Sequence, residues 1–342
     1  MVWTIHEATP ADLGRIRDLY FAVRGDNRPA EYDRWRFTSA PDGFCPTALA
    51  VDGDRVVGLY TLWPVRLKLG NEIVLGGQSM DSMSHPDYLG QGVFTKLAMA
   101  CYEIAQSRGF KVLYGFPNPL SYPGFIRRLN WDHTGDITHW VRPLKLSLHP
   151  KLGGPLGAVA DIASRLLPKG NVGGFTIRTN RPDDSLVQAL LDNWCQEADL
   201  CQINRTPDWF HWRYSKAAEN DYRWVCAYQG DTLSALAIWG QQNNAWGEGQ
   251  DHRAHLVELL GISTNAVRAA LAATITEAAS TGAMVIETVS NVKVVTDTLR
   301  RANFFRHRQA PLIVRSLTTQ PLDVNIHNHS AWRFMGGDLD TF

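Results

Sequence analysis

An internal repeat limits the fold of this chain more than any other feature of its sequence. Residues 28–37, RPAEYDRWRF, return as residues 205–214, RTPDWFHWRY, 177 positions later. Residues 127–131, RRLNW, return as residues 300–304, RRANF, 173 positions later. Matches that keep their order over such a length predict two copies of one folding unit. The 342 residues are also long for one hydrophobic core and sufficient for two.

The change in spacing marks a loop that only the first copy carries. Asp81 still matches Glu258 at a spacing of 177, so the four residues missing from the second copy fall between Glu258 and Gly282. In the first copy this interval contains residues 88–92, YLGQG, a glycine-rich turn in front of a helix pattern. The second copy is therefore expected to lack this turn.

Each copy shows the pattern of a mixed α/β unit. In the first copy, apolar periodicity and turn residues predict the order strand, helix, antiparallel strands, helix, strand, helix, strand. The fold class expected for both copies is an α/β domain whose mostly antiparallel, mixed sheet is flanked by helices. The predicted boundaries are a first domain at 1–145, a linker at 146–172 and a degenerate second domain at 173–342. The predicted strands of the first copy are 2–7, 47–51, 55–63, 66–69, 72–84, 111–116 and 131–141, with helices after Thr9 and at 93–108 and 123–129.

Charge and cysteine content narrow the classes of partner. Lys+Arg and Asp+Glu number 34 each, so no net field attracts nucleic acid or an anionic membrane. An anionic ligand must then be held locally, which indicates a small-molecule pocket. Five cysteines without metal-binding spacing indicate reduced thiols and no metal site. The sequence has neither an apolar run of about 18 residues nor a signal-peptide pattern, so a cytoplasmic location is expected. The sequence leaves open whether the protein forms a homodimer.

The sharpest local feature is the turn at residues 83–94, MSHPDYLGQGVF. A strand pattern enters this turn and a helix pattern leaves it. A glycine-containing turn lets successive backbone N–H groups converge, and the dipole of the following helix adds partial positive charge. Pyrophosphate is the ligand that such an arrangement favours. The spacing differs from that of a P-loop and of a dinucleotide-binding turn.

This turn resembles the acyl-CoA motif of the GCN5-related N-acetyltransferase (GNAT) superfamily, Arg/Gln-x-x-Gly-x-Gly/Ala. Residues 85–88, HPDY, match the family's approach to the motif, and Gly92 matches its central glycine. Leu89 stands where the family has Arg or Gln, and Phe94 stands where it has Gly or Ala. Both replacements leave the backbone donors available.

The resemblance extends beyond the turn and implies a reaction. Residues 118–131 are similar to the family's later motif, and the likeness covers most of 1–142 and, more weakly, 173–318. It implies direct transfer from acetyl-CoA or another acyl-CoA, held between two parallel strands, to a small-molecule amine without a metal. The residues implied in acyl-CoA binding are Met83, Ser84, Leu89, Gly90, Gln91, Gly92, Val93, Phe94 and Asn118.

Asp81 is the candidate general base. An amine arrives as ammonium, so a base has to remove a proton before the amine attacks. Asp81 lies on the strand that enters the turn, where the family often keeps its base, and Met80 and Met83 could desolvate its carboxylate and raise its pKa. The alternatives are a polar residue on the open face of the strand and a contact to a substrate hydroxyl. Glu258, its match in the second copy, is interpreted as a vestige or a substrate contact.

Tyr122 is the candidate general acid, because the implied fold places its loop near the thioester sulfur. The family's usual tyrosine position is Ile126 here, so simple packing is the alternative for Tyr122, and Tyr114 is a weaker substitute. His85 could act as a base by residue type, but its His-Pro context matches a position that serves the turn.

Two further features are open to interpretation. The pairs Trp35-Arg36 and Trp212-Arg213 occur in both copies, which favours a structural role over a catalytic one. Residues 332–342, WRFMGGDLDTF, combine aromatic and acidic side chains. This segment could fold over the cleft and bind hydroxyls or an ammonium, or it could be a last strand with a frayed end.

The function that the sequence favours is an acyl-CoA-dependent N-acyltransferase. An amino sugar, nucleotide-linked forms included, is the leading acceptor on family analogy, and aminoglycosides, amino acids and biosynthetic amines are the alternatives. A non-catalytic acyl-CoA sensor or scaffold is the alternative, motivated by Leu89 and Phe94. A nucleic-acid-binding protein fits poorly, because the charge is balanced and the sequence has no basic aromatic stripe.

Overall fold

The computed structural model describes residues 3–145, 173–194, 197–215, 221–241 and 253–340. The expected linker at 146–172 and Cys195 lie outside these ranges. Within them, the α/β class with a mixed sheet and flanking helices is confirmed.

The two copies contribute their elements in closely similar orders. The strands of the first copy are β1 (Thr4–Glu7), β2 (Thr47–Asp52), β3 (Arg55–Leu69), β4 (Glu72–Ser84), β5 (Val112–Gly115) and β6 (Asp132–Pro143). Its helices are α1 (Leu13–Arg24), α2 (Ala30–Thr38), α3 (Val93–Ser107) and α4 (Tyr122–Leu129). The described strands of the second copy are β7 (Thr176–Arg178), β8 (Cys201–Ile203), β9 (Asp221–Gln229), β10 (Thr232–Gln241), β11 (Arg253–Gly261), β12 (Val285–Val289), β13 (Phe305–Ser316) and β14 (Trp332–Arg333). Its described helices are α5 (Asp184–Asp192), α6 (Pro207–Arg213), α7 (Thr264–Ser280) and α8 (Lys293–Arg301).

Strand β3 runs without a break through Pro64, where the sequence predicts two strands, 55–63 and 66–69. Proline has no backbone N–H, so it is tolerated in a sheet only where the strand lacks a neighbour on that side. β2 pairs with β3 only as far as Thr61, and β8 pairs with it only from Leu67 onward. Pro64 lies in the interval between these two neighbours.

Trp35 of α2 and Trp212 of α6 join the two copies. Their rings stack with centroids 5.7 Å apart at an interplanar angle of 25°. The Trp35 indole N–H donates to the Trp212 carbonyl at 2.8 Å, and the Trp212 indole N–H donates to the Trp35 carbonyl at 3.4 Å. Equivalent residues that make reciprocal bonds are the mark of a local twofold relation. The repeated tryptophans therefore have the expected structural role.

One continuous sheet runs through both copies in the order β1-β2-β3-β4-β5-β13-β6-β12-β11-β10-β9-β7. At its centre the copies exchange strands. β13 of the second copy pairs antiparallel with β5 of the first, with Val314 opposite Tyr114. β6 of the first copy pairs antiparallel with β12 of the second, with Trp140 opposite Thr288. Each copy's sheet is therefore completed by the final long strand of the other copy.

Helix α3 covers β2 and β3, and its residues Leu97, Ala98 and Cys101 are fully buried there. The cysteines of the described ranges are buried and free, and burial raises the pKa of each thiol: Cys45, Cys101, Cys201 and Cys226. They pack as small apolar residues. In the part of the chain that the structure describes, no helix is long and apolar enough to cross a membrane.

Candidate active site

A cavity opens where two parallel strands part. β4 and β5 are paired in parallel only from Gly76 opposite Val112 to Gln78 opposite Tyr114. Beyond that pair β4 continues to Ser84, and the strands diverge. The cavity has a volume of about 490 Å³, which lies within the range of small-molecule sites. Its lining comes from α1, α2 and the loop between them, from β4, from β5 and the segment after it, from α4 and from the carboxyl-terminal segment: Tyr20, Arg24, Asp26, Arg28, Tyr32, Arg36, Ser79, Met80, Asp81, Ser82, Met83, Gly115, Phe116, Pro117, Asn118, Ser121, Phe125 and Asp340.

Asp81 lies at a β-bulge and lines this cavity. The pairing of β3 with β4 shifts between Leu59 and Thr61, so Tyr60 faces two residues of β4. Asp81 has a φ of +44°, a left-handed conformation that aspartate tolerates better than most residues. Bulges commonly re-aim a side chain beside a functional site. The irregular backbone thus lies at Asp81, the residue of β4 that the sequence predicts as the general base.

Two arginines hold the Asp81 carboxylate. Arg28 Nη1 and Arg36 Nε each donate to Asp81 Oδ2 at 2.9 Å, and Arg36 Nη2 donates to Oδ1 at 3.3 Å. Burial by itself would raise the pKa of Asp81, but Arg36 and then Arg28 hold that pKa well below its ordinary value. The predicted rise in pKa is therefore wrong. Asp81 stays ionised with both oxygens engaged, and this makes it a poor acceptor for a substrate proton.

The repeat holds the pattern that identifies these two arginines. Both recur 177 positions later, as Arg205 and Arg213, at the spacing that relates Asp81 to Glu258. One acid and two bases kept at one spacing in both copies indicate an ion-pair cluster. The Trp-Arg pairs of the repeat predict only a structural role for Arg36.

The carboxyl-terminal segment enters the cavity through Asp340. Its Oδ2 accepts from Arg36 Nη2 at 3.1 Å, and its Oδ1 accepts from Gln78 Nε2 at 3.2 Å. The Asp340 side chain is 18% exposed. Of the two alternatives for residues 332–342, the described part folds into the cleft, and only its first two residues form a strand, β14.

Tyr122 does not line the cavity that holds Asp81. Ser121 and Phe125 line it, whereas the Tyr122 hydroxyl is hydrogen-bonded to Nδ1 of His133 on β6 at 2.9 Å. Neighbouring residues of a helix point about 100° apart, so the face that presents Ser121 and Phe125 turns Tyr122 away. The structure therefore does not bring the side chains of Asp81 and Tyr122 together in one cavity.

The weaker candidates also have structural partners. Tyr114 is fully buried, and its hydroxyl donates to Gln78 Oε1 at 3.4 Å, while burial raises its pKa well above the ordinary value. His85 Nδ1 accepts the backbone N–H of Asp87 at 3.2 Å, so this histidine serves the turn. Asn118 lines the cavity, and its Oδ1 accepts the backbone N–H of Ser121 at 2.9 Å, which orders the start of α4.

The turn between β4 and α3 presents open backbone amides. Gly90 and Gly92 both have a φ of +76°. No side chain caps α3, and its first turn holds no acidic residue. A Cβ at Gly92 would meet only Lys96 Cε, at 4.0 Å. An uncapped helix N-terminus with space before it favours an anion, so these residues fit the diphosphate of an acyl-CoA.

The other residues implied in acyl-CoA binding surround this turn. Met83 lines the cavity, so the turn and the cavity are continuous along β4. Leu89 is 67% exposed. Phe94 packs edge-on against Phe125 at 5.3 Å and tilts against Tyr60 at 5.8 Å, so its side chain fills the helix interface rather than the turn.

The matching cleft of the second copy is filled by residues 335–339. Ser290, just beyond β12, forms an antiparallel bridge with Met335, the first residue of this segment. The turn at residues 336–338 packs against β11. A Cβ at Gly337 would overlap the Tyr214 hydroxyl and lie 2.8 Å from Glu258 Oε1. Close packing of this kind leaves no room for a thioester.

Glu258 is fully enclosed by this packing. Arg205 Nε donates to Glu258 Oε2 at 3.2 Å, and the Tyr214 hydroxyl donates to Oε1 at 2.7 Å. Arg205 also pairs with Asp338 of the carboxyl-terminal segment at 2.6 Å. Burial raises the pKa of Glu258. The position equivalent to Asp81 thus forms part of a sealed ion-pair cluster.

The second copy also lacks the open amides. Two residues, 262–263, join β11 to α7, where eight residues, 85–92, join β4 to α3. Ser263 Oγ accepts the backbone N–H of Ala266 at 3.2 Å and so caps α7. The expected loss of the glycine turn from the second copy is confirmed.

Comparisons with known proteins agree with this geometry. A family model described as an acetyltransferase (GNAT) domain matches residues 4–134. The solved structure of a conserved protein of unknown function from Enterococcus faecalis V583, described as a probable N-acyltransferase, is similar with a TM-score of 0.68 and 11% identity. That likeness covers 94% of this chain and 74% of the other.

Two further solved structures share the fold. A GCN5-related N-acetyltransferase from Anabaena variabilis ATCC 29413 has a TM-score of 0.64 and 12% identity, covering 92% of this chain and 73% of its own. A tandem GNAT protein from the clavulanic acid biosynthesis pathway has a TM-score of 0.57 and 12% identity, covering 93% of this chain and all of its own, 100%. No curated protein sequence matches this chain.

Proposed function

We propose that this chain, whose residues 4–134 match a GNAT acetyltransferase domain, transfers an acyl group from an acyl-CoA to a primary amine of a small molecule. Its fold is similar to that of a tandem GNAT protein. The observation that carries the proposal is the continuity of open backbone amides, diverging parallel strands and a polar cavity, which among the described residues belongs to the first copy alone. A bound acyl-CoA supplies an electrophilic thioester carbon. The rest of the reaction depends on this chain's own residues.

The acyl-CoA site proposed here follows β4. The backbone N–H groups at residues 90–94 would hold the diphosphate, and the backbone of Met83 and Ser84 would hold the pantetheine arm. Asn118, on the opposite wall of the cavity, keeps the start of α4 in place. Acetyl-CoA is the donor that we propose to test first.

The acceptor site proposed here is the cavity around Asp81. Its lining combines three arginines and three aspartates with serine and tyrosine hydroxyls, a composition that suits a polar, multiply hydrogen-bonded amine. Amino sugars belong to that class, and family analogy places them first among the acceptors to test. Because Arg28 and Arg36 neutralise Asp81, we assign Asp81 the role of positioning these two guanidiniums. A cytoplasmic location is part of the same proposal.

The Gly92→Trp variant tests the acyl-CoA site. An indole at a φ of +76° would be strained and would fill the space before the α3 amides, so calorimetric binding of acetyl-CoA should be lost. Gly230→Trp is the matched control, because Gly230 also has a positive φ, +60°, and open surroundings, but lies in the β9–β10 hairpin. The control should bind one acetyl-CoA per chain. Equal binding by both variants would remove the turn from the proposal.

A non-catalytic acyl-CoA sensor is the second candidate, favoured by the position of Tyr122 outside the cavity. Release of free thiol from acetyl-CoA, measured with a panel of amino sugars, amino acids and polyamines, separates the two functions. An enzyme releases thiol with at least one amine, whereas a sensor binds acetyl-CoA and releases thiol only at the background rate.

A further inference from the structure

Three carboxylates line the described cavity, and they differ in how fully they are engaged. Asp81 accepts from two guanidiniums. Asp26 is at the α1 end of the cavity, beyond the helix terminus at Arg24. Asp340 accepts from one guanidinium and one neutral amide, that of Gln78. Asp340 is thus held in a fixed place by two hydrogen bonds to its carboxylate, one fewer than Asp81 accepts, and it accepts from one guanidinium where Asp81 accepts from two.

The position of Asp340 relative to the strands is specific. Gln78 forms the last parallel pair of β4 with β5, so it marks the apex at which the two strands part. Asp340 is bonded to that residue, and the open amides lie beyond Ser84 at the other end of the gap. Six residues of β4 separate the two ends, about 20 Å at 3.3 Å per residue. A chain held by its diphosphate at the turn and extended along β4 would bring its acyl end toward Asp340.

We propose that Asp340, delivered by the carboxyl-terminal segment, binds the acceptor ammonium and accepts its proton. This inference rests on the proposed acyl transfer and names the group that starts it. Ion pairing with the carboxylate places the nitrogen at the apex of the gap, next to the thioester carbon.

The ammonium gives one proton to the Asp340 carboxylate, and the freed lone pair forms the C–N bond to the thioester carbon. The C–S bond breaks, its electron pair goes to sulfur, and the second nitrogen proton is transferred to that sulfur to give the thiol. Asp340 then releases its proton to water. The products are one amide, one thiol and one proton.

The surroundings of Asp340 suit this task better than those of Asp81. The groups that act on it are Arg36 from α2, Asp81 from β4 and Tyr114 from β5. Burial raises the pKa of Asp340, Arg36 opposes this, Asp81 adds to it, and the result is a raised pKa. A carboxylate with a raised pKa is a stronger proton acceptor at neutral pH.

The second copy holds the segment that carries Asp340. Arg205 pairs with Asp338 at 2.6 Å, and Arg213 donates to the carbonyls of Gly337 and Leu339 at 2.9 and 3.0 Å. Both arginines are buried. They are positioning residues, because they fix the segment without lining the first copy's cavity. The packing that fills the second copy's cleft thereby holds Asp340 in the first copy's cavity.

The test compares Asp340→Asn with the wild-type chain, with any amine that the wild type acetylates. We expect kcat/KM for the amine to fall about 100-fold, with acetyl-CoA binding unchanged by calorimetry. We also expect the pH profile to change. The wild type should use the ammonium form near neutral pH, whereas the variant should depend on free amine, so its rate should climb with pH toward the pKa of the amine.

Two further variants complete the test. Asp340→Glu keeps a carboxylate and should keep the wild-type shape of the pH profile, even if the rate is lower. Asp26→Asn removes the third carboxylate of the cavity lining and should keep the wild-type shape of the pH profile, whatever its effect on the rate. An Asp340→Asn variant that binds acetyl-CoA and keeps both the wild-type rate and the wild-type pH profile would overturn the inference. The inference would also be overturned if Asp26→Asn, and not Asp340→Asn, changed the pH profile. A wild-type chain that neither binds acetyl-CoA nor releases thiol would instead overturn the proposed function.

Discussion

Asp81 and Asp340 are two carboxylates of one cavity in opposite electrostatic settings. Arg28 and Arg36 converge on Asp81, and the pKa of Asp81 is lowered although burial opposes this. Asp340 shares only Arg36, and its pKa is raised because burial prevails. Residue type and apolar neighbours alone would have assigned both groups a raised pKa. The number of guanidiniums that reach each carboxylate decides which one can exchange a proton.

Replacement of Asp81 tests how much the cluster contributes to stability. Asp81→Asn leaves two buried guanidiniums with less negative charge, so the free energy of unfolding in urea should fall by about 3 kcal/mol at pH 7. Asp26→Asn, for which the described residues offer no ion pair, should change that free energy by less than about 0.5 kcal/mol.

The effect of Asp81 should depend on pH with a definite sign. Its pKa is lower in the folded than in the unfolded chain, so its stabilisation is complete above the unfolded value of about 3.9 and is lost as the pH falls below it. The difference between wild type and Asp81→Asn should therefore shrink below about pH 4. A difference that grows on acidification would contradict the ion-pair assignment.

At the scale of elements, the two copies use the same strand–turn–helix unit in opposite ways. In the first copy eight residues, including two glycines with positive φ, leave the start of α3 open. In the second copy two residues bring Ser263 onto the start of α7, and residues 335–339 fill the gap between the strands. A short connection, a cap and an inserted segment together remove a ligand site without altering the sheet.

Gly337→Ala tests the inserted segment as an element. The added methyl group would overlap the Tyr214 hydroxyl and should displace the segment, so Asp340 would leave the cavity. We expect kcat/KM for the amine to fall at least about 10-fold while the affinity for acetyl-CoA stays the same. Gly14→Ala is the control, because a Cβ there meets nothing within 4 Å and α1 should gain slightly in stability. Unchanged kinetics in Gly337→Ala would separate the segment from the reaction.

The sequence predicts elements well where local patterns decide them. β4 has the predicted bounds, and α3 begins at the predicted Val93. Helix α2 escapes prediction, since its nine residues carry buried charged side chains in place of an apolar stripe. The position of Tyr122 also escapes, because the direction of a side chain at the start of a short helix depends on packing. The repeat carries a further signal that the motifs lack, because Arg28, Arg36 and Asp81 all recur at a spacing of 177, but only the structure shows that these residues form ion pairs.

At the scale of the whole molecule, the exchange of β6 and β13 could not be predicted from the sequence. The two strands are repeat equivalents, so each satisfies the same pattern beside either β5 or β12. Only the packing of the complete chain selects the exchanged arrangement. The predicted division at 146–172 separates the copies in sequence but would leave each sheet without its last strand.

The exchange predicts how the protein unfolds and tolerates division. We expect one calorimetric transition, because the two sheets share their central strands. Residues 1–145 and 173–342, produced separately, should each lack cooperative unfolding, whereas the two fragments produced together should co-purify and recover acetyl-CoA binding. Two separate transitions, or a first fragment that folds and binds acetyl-CoA alone, would contradict this expectation.

Strand exchange also constrains how such a chain can evolve. A duplicated copy without a ligand site of its own would ordinarily be free to accumulate substitutions or to be deleted. Here the second copy contributes β13, which pairs with β5 beside the first copy's cavity. Its Arg205 also anchors the carboxyl-terminal segment that carries Asp340 into that cavity. Selection should therefore conserve β13, Arg205 and Arg213 as strongly as the first copy, while the exposed residues of α7 are free to vary.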